Sequence, residues 1–232
     1  MRFAAEVIAE TLWPTRCALC DLPGEVLCAS CMSSLPFLDW WQACPRCGSA
    51  FGLAQCDLCN PIMLSRIGRD ELPFAGCASA VSFSDSSGRV VRTYKDQGER
   101  RLAAVMAQRM AYVVPPAWSY DVLTFIPATK AAMRRRGFDH AELLAHEVAS
   151  CLNVECTNMF ARPRTFDQRT LSGRERIANL SNRFQLVENA GARRSFLLVD
   201  DVFTTGATLC AATDALKNAC ADTVYCLTFA RV

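Results

Sequence analysis

Residues 196–209 read Phe196-Leu197-Leu198-Val199-Asp200-Asp201-Val202-Phe203-Thr204-Thr205-Gly206-Ala207-Thr208-Leu209. Phe196 to Val199 is an unbroken apolar run, the pattern of a strand buried on both faces. Two adjacent carboxylates follow, then a Thr/Gly turn, then helical spacing through Ala211, Ala212, Ala215 and Leu216. Strand, polar turn and helix start, in that order, predict a site at the carboxyl edge of a parallel sheet. Turn amides near Thr205–Thr208, Ala207 among them, then face a ligand from a helix N-terminus, where partial positive charge favours phosphate. Thr204, Thr205 and Thr208 add hydroxyl donors, and Gly206 lets a ligand approach the backbone closely. Asp200 and Asp201 repel phosphate; they suit the hydroxyls of a sugar, or a hard cation such as Mg²⁺.

This run resembles the motif of type I phosphoribosyltransferases that binds phosphoribosyl diphosphate (PRPP), in which two acidic residues precede a T-T-G-x-[TS] phosphate loop. The resemblance implies that Asp200 and Asp201 hold the ribose 2′- and 3′-hydroxyls and act in catalysis, while Thr204–Thr208 hold the 5′-phosphate. An acidic turn that merely caps a helix would not account for apolar strand, acid pair and phosphate loop occurring in register.

The chain has 232 residues, enough for one α/β domain of ordinary size plus a small module. About half of the residues are apolar (51%), so a sizeable core is available, and the net charge is only +2. That balance argues against bulk electrostatic capture of nucleic acid and leaves room only for local basic patches. No stretch approaches the roughly 20 apolar residues that span a bilayer. The start of the chain sets Glu6 and Glu10 beside Arg2, which does not read as a signal peptide. The expectation is a cytoplasmic chain without membrane insertion.

Of 14 cysteines, eight form four C-x-x-C pairs: Cys17/Cys20, Cys28/Cys31, Cys44/Cys47 and Cys56/Cys59. Two thiolates separated by two residues form a knuckle that grips one metal from adjacent tetrahedral corners, and four close a structural Zn²⁺ site. Eight thiolates therefore predict two zinc ions in a double zinc ribbon over residues 15–62, replacing a hydrophobic core in a segment too short to build one. Sequential grouping (17, 20, 28, 31 and 44, 47, 56, 59) is favoured, and a cross-braced arrangement is compatible with the same spacing. Ahead of the ribbon, Phe3, Val7, Ile8 and Leu12 within residues 1–14 predict a short amphipathic helix that Pro14 stops. Trp40, Trp41 and Arg46 are residue types that stack on nucleic acid. Asp21, Glu25, Asp39 and Asp57 dilute the positive charge and favour packing of the tryptophans against the neighbouring domain. The remaining cysteines, Cys77, Cys151, Cys156, Cys210, Cys220 and Cys226, read as small buried hydrophobes.

From residue 75 to residue 232 the pattern alternates strand and helix, with strands expected at Cys77–Phe83, Val122–Ile126, Glu155–Ala161 and Thr223–Ala230. Lys130, Arg134, Arg135 and Arg136 follow the second strand, which sets cations at the same sheet edge as the acid pair; planar guanidinium forks suit diphosphate oxygens. His140 is a candidate proton donor, but its helical surroundings favour a capping or packing role. Residues 162–176, with Arg164, form a long polar and basic stretch, the composition of a lid that closes over a diphosphate.

Taken together the motifs resemble the ComF family of competence-associated, phosphoribosyltransferase-like proteins. The match runs from the cysteine module through Tyr94-Lys95, Arg135-Arg136-Gly137-Phe138-Asp139-His140, Arg162-x-Arg164-Thr165-x-x-Gln168 and Arg176-x-x-Asn179 to Asp200–Thr208. Where many relatives carry Gly-Phe-Asn-Gln, this chain has Phe138-Asp139-His140 after Gly137. The resemblance implies an α/β domain of type I phosphoribosyltransferase fold, a parallel sheet flanked by helices, behind a small cysteine-rich zinc-binding module. It also implies a PRPP ligand with Mg²⁺ and a link to DNA uptake or the use of external DNA. It leaves two readings of function: transfer of a phosphoribosyl group, or a non-catalytic accessory protein whose zinc module binds single-stranded DNA, a helicase or another DNA-uptake protein.

Overall fold

In the computed structural model, which describes residues 14–66, 68–162, 184–187, 194–219 and 221–232, a cysteine-bearing module leads into alternating strands and helices. The helix expected before Pro14 and the stretch carrying Arg164 lie outside the described residues. The module contributes two short helices, α1 (Ala29–Ser33) and α2 (Pro61–Arg66). There follow β1 (Gly76–Ser82), α3 (Asp85–Lys95), α4 (Leu102–Tyr112), β2 (Val122–Phe125), α5 (Lys130–Arg136) and α6 (His140–Leu152). The chain closes with β3 (Ser195–Phe203), α7 (Ala207–Ala219) and β4 (Thr223–Arg231).

Among the described residues the strands form one sheet in the order β1-β4-β3-β2, with every neighbouring pair parallel. Parallel strands need helical crossovers, and these cover both faces, which is why Phe196–Val199 of β3 are apolar without interruption. Period-two alternation divides the run. Leu197 and Val199 join a core with Val90, Met106, Leu144 and Val148 from α3, α4 and α6, whereas Phe196 and Leu198 join a second core with Leu209, Ala212 and Leu216 from α7. Cys77, Cys210 and Cys226 are buried, and burial pushes the Cys77 thiol up to about 12, so these cysteines act as small apolar groups; Cys151 is instead exposed.

The strand expected at Glu155–Ala161 is reduced to two bridges, Cys156 to Leu123 and Phe160 to Leu186. Leu123 N donates to Glu155 O, and Thr157 N donates to Leu123 O, both at 2.9 Å. The next amide, of Met159, is taken at 3.3 Å by the Thr124 hydroxyl rather than by a β2 carbonyl, and this ends the ladder.

The module docks along the free edge of β1. Leu38 N donates to Ala80 O at 2.9 Å and Ser82 N donates to Pro36 O at 2.8 Å, so residues 36–38 pair with β1 as a short antiparallel segment. Gly48 takes φ +74°, and a Cβ there would lie 2.6 Å from the Cys77 carbonyl oxygen; the glycine permits both the turn and the docking.

Candidate functional site

Because β2 and β3 are parallel neighbours, the segments that follow them leave the same edge of the sheet. After β3 comes the loop Thr204–Gly206, and then α7, thirteen residues long. Thr204 and Thr205 are exposed, and Cys210 N donates to Gly206 O at 2.8 Å as the first helical bond. The first-turn amides of α7, including that of Thr208, therefore face the edge, and that of Ala207 donates to Thr205 Oγ1 at 3.4 Å. Gly206 is required on two counts. Its φ is +75°, and a Cβ there would lie 2.6 Å from the Phe203 ring.

The acid pair divides into two environments. Asp201 is buried, with its Oδ2 2.5 Å from Lys95 Nζ at the end of α3 and 3.5 Å from His140 Nε2 at the start of α6. Burial alone would raise the Asp201 carboxyl, but Lys95 and then His140 hold it below the ordinary carboxylate range. Asp200 is half-buried, and its described hydrogen bond is from the Asp201 amide to Oδ1 at 2.9 Å. Burial first, and the adjacent Asp201 charge second, push Asp200 up to about 7. One carboxylate is thus locked in an ion pair, while burial and its neighbour's charge raise the other.

Around Asp201 the second shell is dense. Burial lowers His140 to about 4; Asp201 opposes the shift, and Lys95 and Arg136 add to it. The ring is neutral at pH 7, and Arg136 Nη1 lies 3.1 Å from its Nδ1. Tyr94 donates its hydroxyl to the His140 carbonyl at 2.5 Å, which ties α3 to α6. Asp139 supplies the N-cap of α6, accepting from Ala141 N at 3.1 Å and Glu142 N at 3.3 Å. Its other oxygen takes Ala128 N at 3.0 Å and pairs with Arg162. Asp139, not His140, is therefore the cap, and it fixes the β2–α5 turn at the site's rim.

The cations expected on the diphosphate separate. Lys130, Arg134 and Arg135 are exposed on α5 beyond the Thr129 N-cap, which accepts from Ala132 N at 3.2 Å. Arg136 is committed elsewhere, donating to Asp96 Oδ1 at 3.0 Å and packing against His140.

The eight paired cysteines form two sequential groups, Cys17/Cys20/Cys28/Cys31 and Cys44/Cys47/Cys56/Cys59, each with its four sulfurs within 4.8 Å of one another. The cross-braced alternative is not the arrangement found. Sulfur separations of 3.8 Å (Cys20–Cys28) and 3.6 Å (Cys44–Cys59 and Cys47–Cys56) match the edge of about 3.8 Å that follows from tetrahedral Zn–S bonds of about 2.3 Å. The donor sets fit structural zinc. An apolar cavity of about 330 Å³ opens between this module and β1, lined by Trp40, Trp41, Leu53, Pro115 and Trp118. It offers no cation for a phosphate and is separate from the acid pair's edge.

The phosphoribosyl transferase domain family matches residues 134–232. The chain is 28% identical to competence protein ComFC of Bacillus subtilis over 190 residues, covering 81% of this chain and 76% of that protein. Competence protein F of Haemophilus influenzae is 39% identical over 79 residues, 32% of this chain and 34% of that protein. DNA utilization protein YhgH of Escherichia coli is 34% identical over 111 residues, 46% of this chain and 48% of that protein. The chain is similar to competence proteins of the ComF type. It joins a type I phosphoribosyltransferase fold to a module with two cysteine tetrads. Sequence reasoning singled out Asp200–Thr208 and the tetrads but assigned no role to Lys95 or to the His140–Asp201 contact. The one available signal was the Tyr94-Lys95 pair closing a helix beside the site. Among the described residues, no helix is long and apolar enough to cross a membrane.

Proposed function

We propose that the carboxyl edge of β3 binds PRPP or a nucleotide containing ribose 5-phosphate. The observation that carries this reading is the Thr204–Thr208 loop opening the thirteen-residue α7 directly after the Asp200–Asp201 pair. The first-turn amides and threonine hydroxyls take the 5′-phosphate, and Asp200 accepts from the ribose hydroxyls. Asp201 acts behind it, holding Lys95 and His140 in place. Of the exposed α5 cations, Lys130 and Arg135 take the diphosphate. Arg164, outside the described residues, and Arg136, paired with Asp96, complete that set in the sequence reading.

Asp200 has a hard oxygen donor on the ligand side, which fits Mg²⁺ bound through one carboxylate and substrate phosphates. When bound, that ion neutralises the leaving diphosphate. Transfer from PRPP to a nitrogen nucleophile passes through positive charge on the ribose ring, which a neighbouring carboxylate stabilises. The test is calorimetric titration of the zinc-loaded protein with PRPP, with and without Mg²⁺. Magnesium-dependent binding is expected, falling about tenfold or more when Asp200→Asn removes a charged acceptor. Unchanged affinity in that variant would overturn the assignment.

The accessory reading rests on the module's surface. Phe51, Leu53, Leu58 and Ile62 are exposed, Phe51 by 81%, while Arg16 is paired with Asp21 at 3.0 Å. Exposed apolar side chains with few unpaired cations favour a protein partner over single-stranded DNA. The relatives' names connect them to competence and DNA utilization, the setting in which such a partner would act.

A further inference from the structure

Arg231 ends β4 and is 7% exposed. It lies between the second cysteine tetrad and the phosphate loop. Nη1 donates to the Cys47 carbonyl, and Nη2 stands 3.6 Å from the Cys47 sulfur. The guanidinium carbon lies over the Phe203 ring, 4.0 Å from its centroid. The same ring fills the space where a Cβ at Gly206 would sit, so it underlies the loop. Phe203 and Arg231 are register partners across β3 and β4. Nε is buried without a partner, which is costly for a cation unless negative charge lies close. Four thiolates around one divalent ion carry a net negative charge and supply it.

We propose that Arg231 couples the second tetrad to the phosphate loop. Its fork grips the Cys47 knuckle and its guanidinium packs over Phe203, so metal occupancy at Cys44, Cys47, Cys56 and Cys59 sets the order of the loop and of the first turn of α7. This rests on the phosphate-loop reading above only for its functional meaning; the coupling itself needs no ligand.

Two readouts on the full chain test it: hydrogen exchange of peptides spanning 203–213, and zinc transfer to a chromophoric chelator. Emptying the second tetrad with Cys56→Ser/Cys59→Ser is expected to speed exchange across 203–213, whereas Cys17→Ser/Cys20→Ser leaves it at the wild-type rate. Arg231→Met is expected to weaken one of the two zincs by about 10–100-fold, the usual cost of losing an outer-shell partner. Phe203→Leu keeps the fork and removes the ring; it should retain both zincs yet exchange faster across 203–213. Wild-type exchange in the Cys56/Cys59 or Phe203 variant, or two zincs held with wild-type affinity in Arg231→Met, would overturn the coupling. Because no readout uses PRPP, a chain that fails to bind PRPP can still confirm or refute the relay, and the reverse also holds.

Discussion

The cysteine module and the parallel sheet solve the same problem with different materials. In the sheet, Leu197, Val199, Phe196 and Leu198 are fully buried between helices on both faces, and the hydrophobic effect supplies the order. In the module, α1 has no buried residue, and the organising contacts are the sulfur tetrads. A core of that kind is local: each tetrad draws on no more than sixteen consecutive residues. The sheet is the reverse, joining strands far apart in the chain. The module therefore depends on metal supply and the sheet on packing, and the two should fail under different insults.

The strongest test of that contrast is zinc removal. Structural Zn²⁺ contributes on the order of 10 kcal/mol to small domains of this kind. Chelation is expected to release about two zincs per chain and raise exchange throughout residues 15–62, while the β3 and β4 amides stay protected; loss of both together would make the chain one cooperative unit. Next in size, Leu197→Ala cuts a buried side chain from the sheet and should cost about 2–5 kcal/mol in denaturant unfolding, with both zincs retained.

Lys95→Met should cost less, about 1–3 kcal/mol, because it leaves the Asp201 carboxylate buried without its cation while Lys95 itself is partly exposed. The pH signature follows from the lowered Asp201. That stabilisation is present above the ordinary carboxylate pKa of about 4 and is lost as pH falls through the lower folded value, so wild type and variant should converge in acid. The smallest expected effect is on ligand affinity. Asp200, raised to about 7, is protonated on the acid side, so binding of ribose 5-phosphate should strengthen as pH rises through 7. The same shift makes its contribution to folding stability fall between the ordinary carboxylate pKa of about 4 and the raised value of about 7. Asp200→Asn should flatten the affinity profile; a profile that keeps its inflection would assign the titration to another group.

Legibility in the sequence followed locality. The apolar run, the acid pair and the Thr/Gly loop lie within fourteen consecutive residues, and their spacing alone placed strand, turn and helix. The C-x-x-C knuckles were equally plain, but spacing permits either grouping of the pairs, and only the fold of residues 17–59 selects the sequential one. What spacing could not show were partners brought together by topology: Lys95 with Asp201, Asp139 with Arg162, Arg231 with Cys47. Arg136 shows the same limit. Its composition matched its exposed neighbours, yet the α5–α6 corner turns it toward Asp96 and His140. The Glu155–Ala161 strand missed for a smaller reason, a threonine hydroxyl competing for one amide.

The pairing of residues 36–38 with β1 carries a consequence for how the protein behaves when metal is scarce. A parallel sheet ending in an uncovered strand is a template for the strand of another molecule. Here Pro36 and Leu38 occupy those positions, and they belong to the module that zinc folds. A chain that loses its metal therefore uncovers the apolar edge strand Gly76–Ser82, and zinc starvation should register as self-association before it registers as unfolding of the sheet.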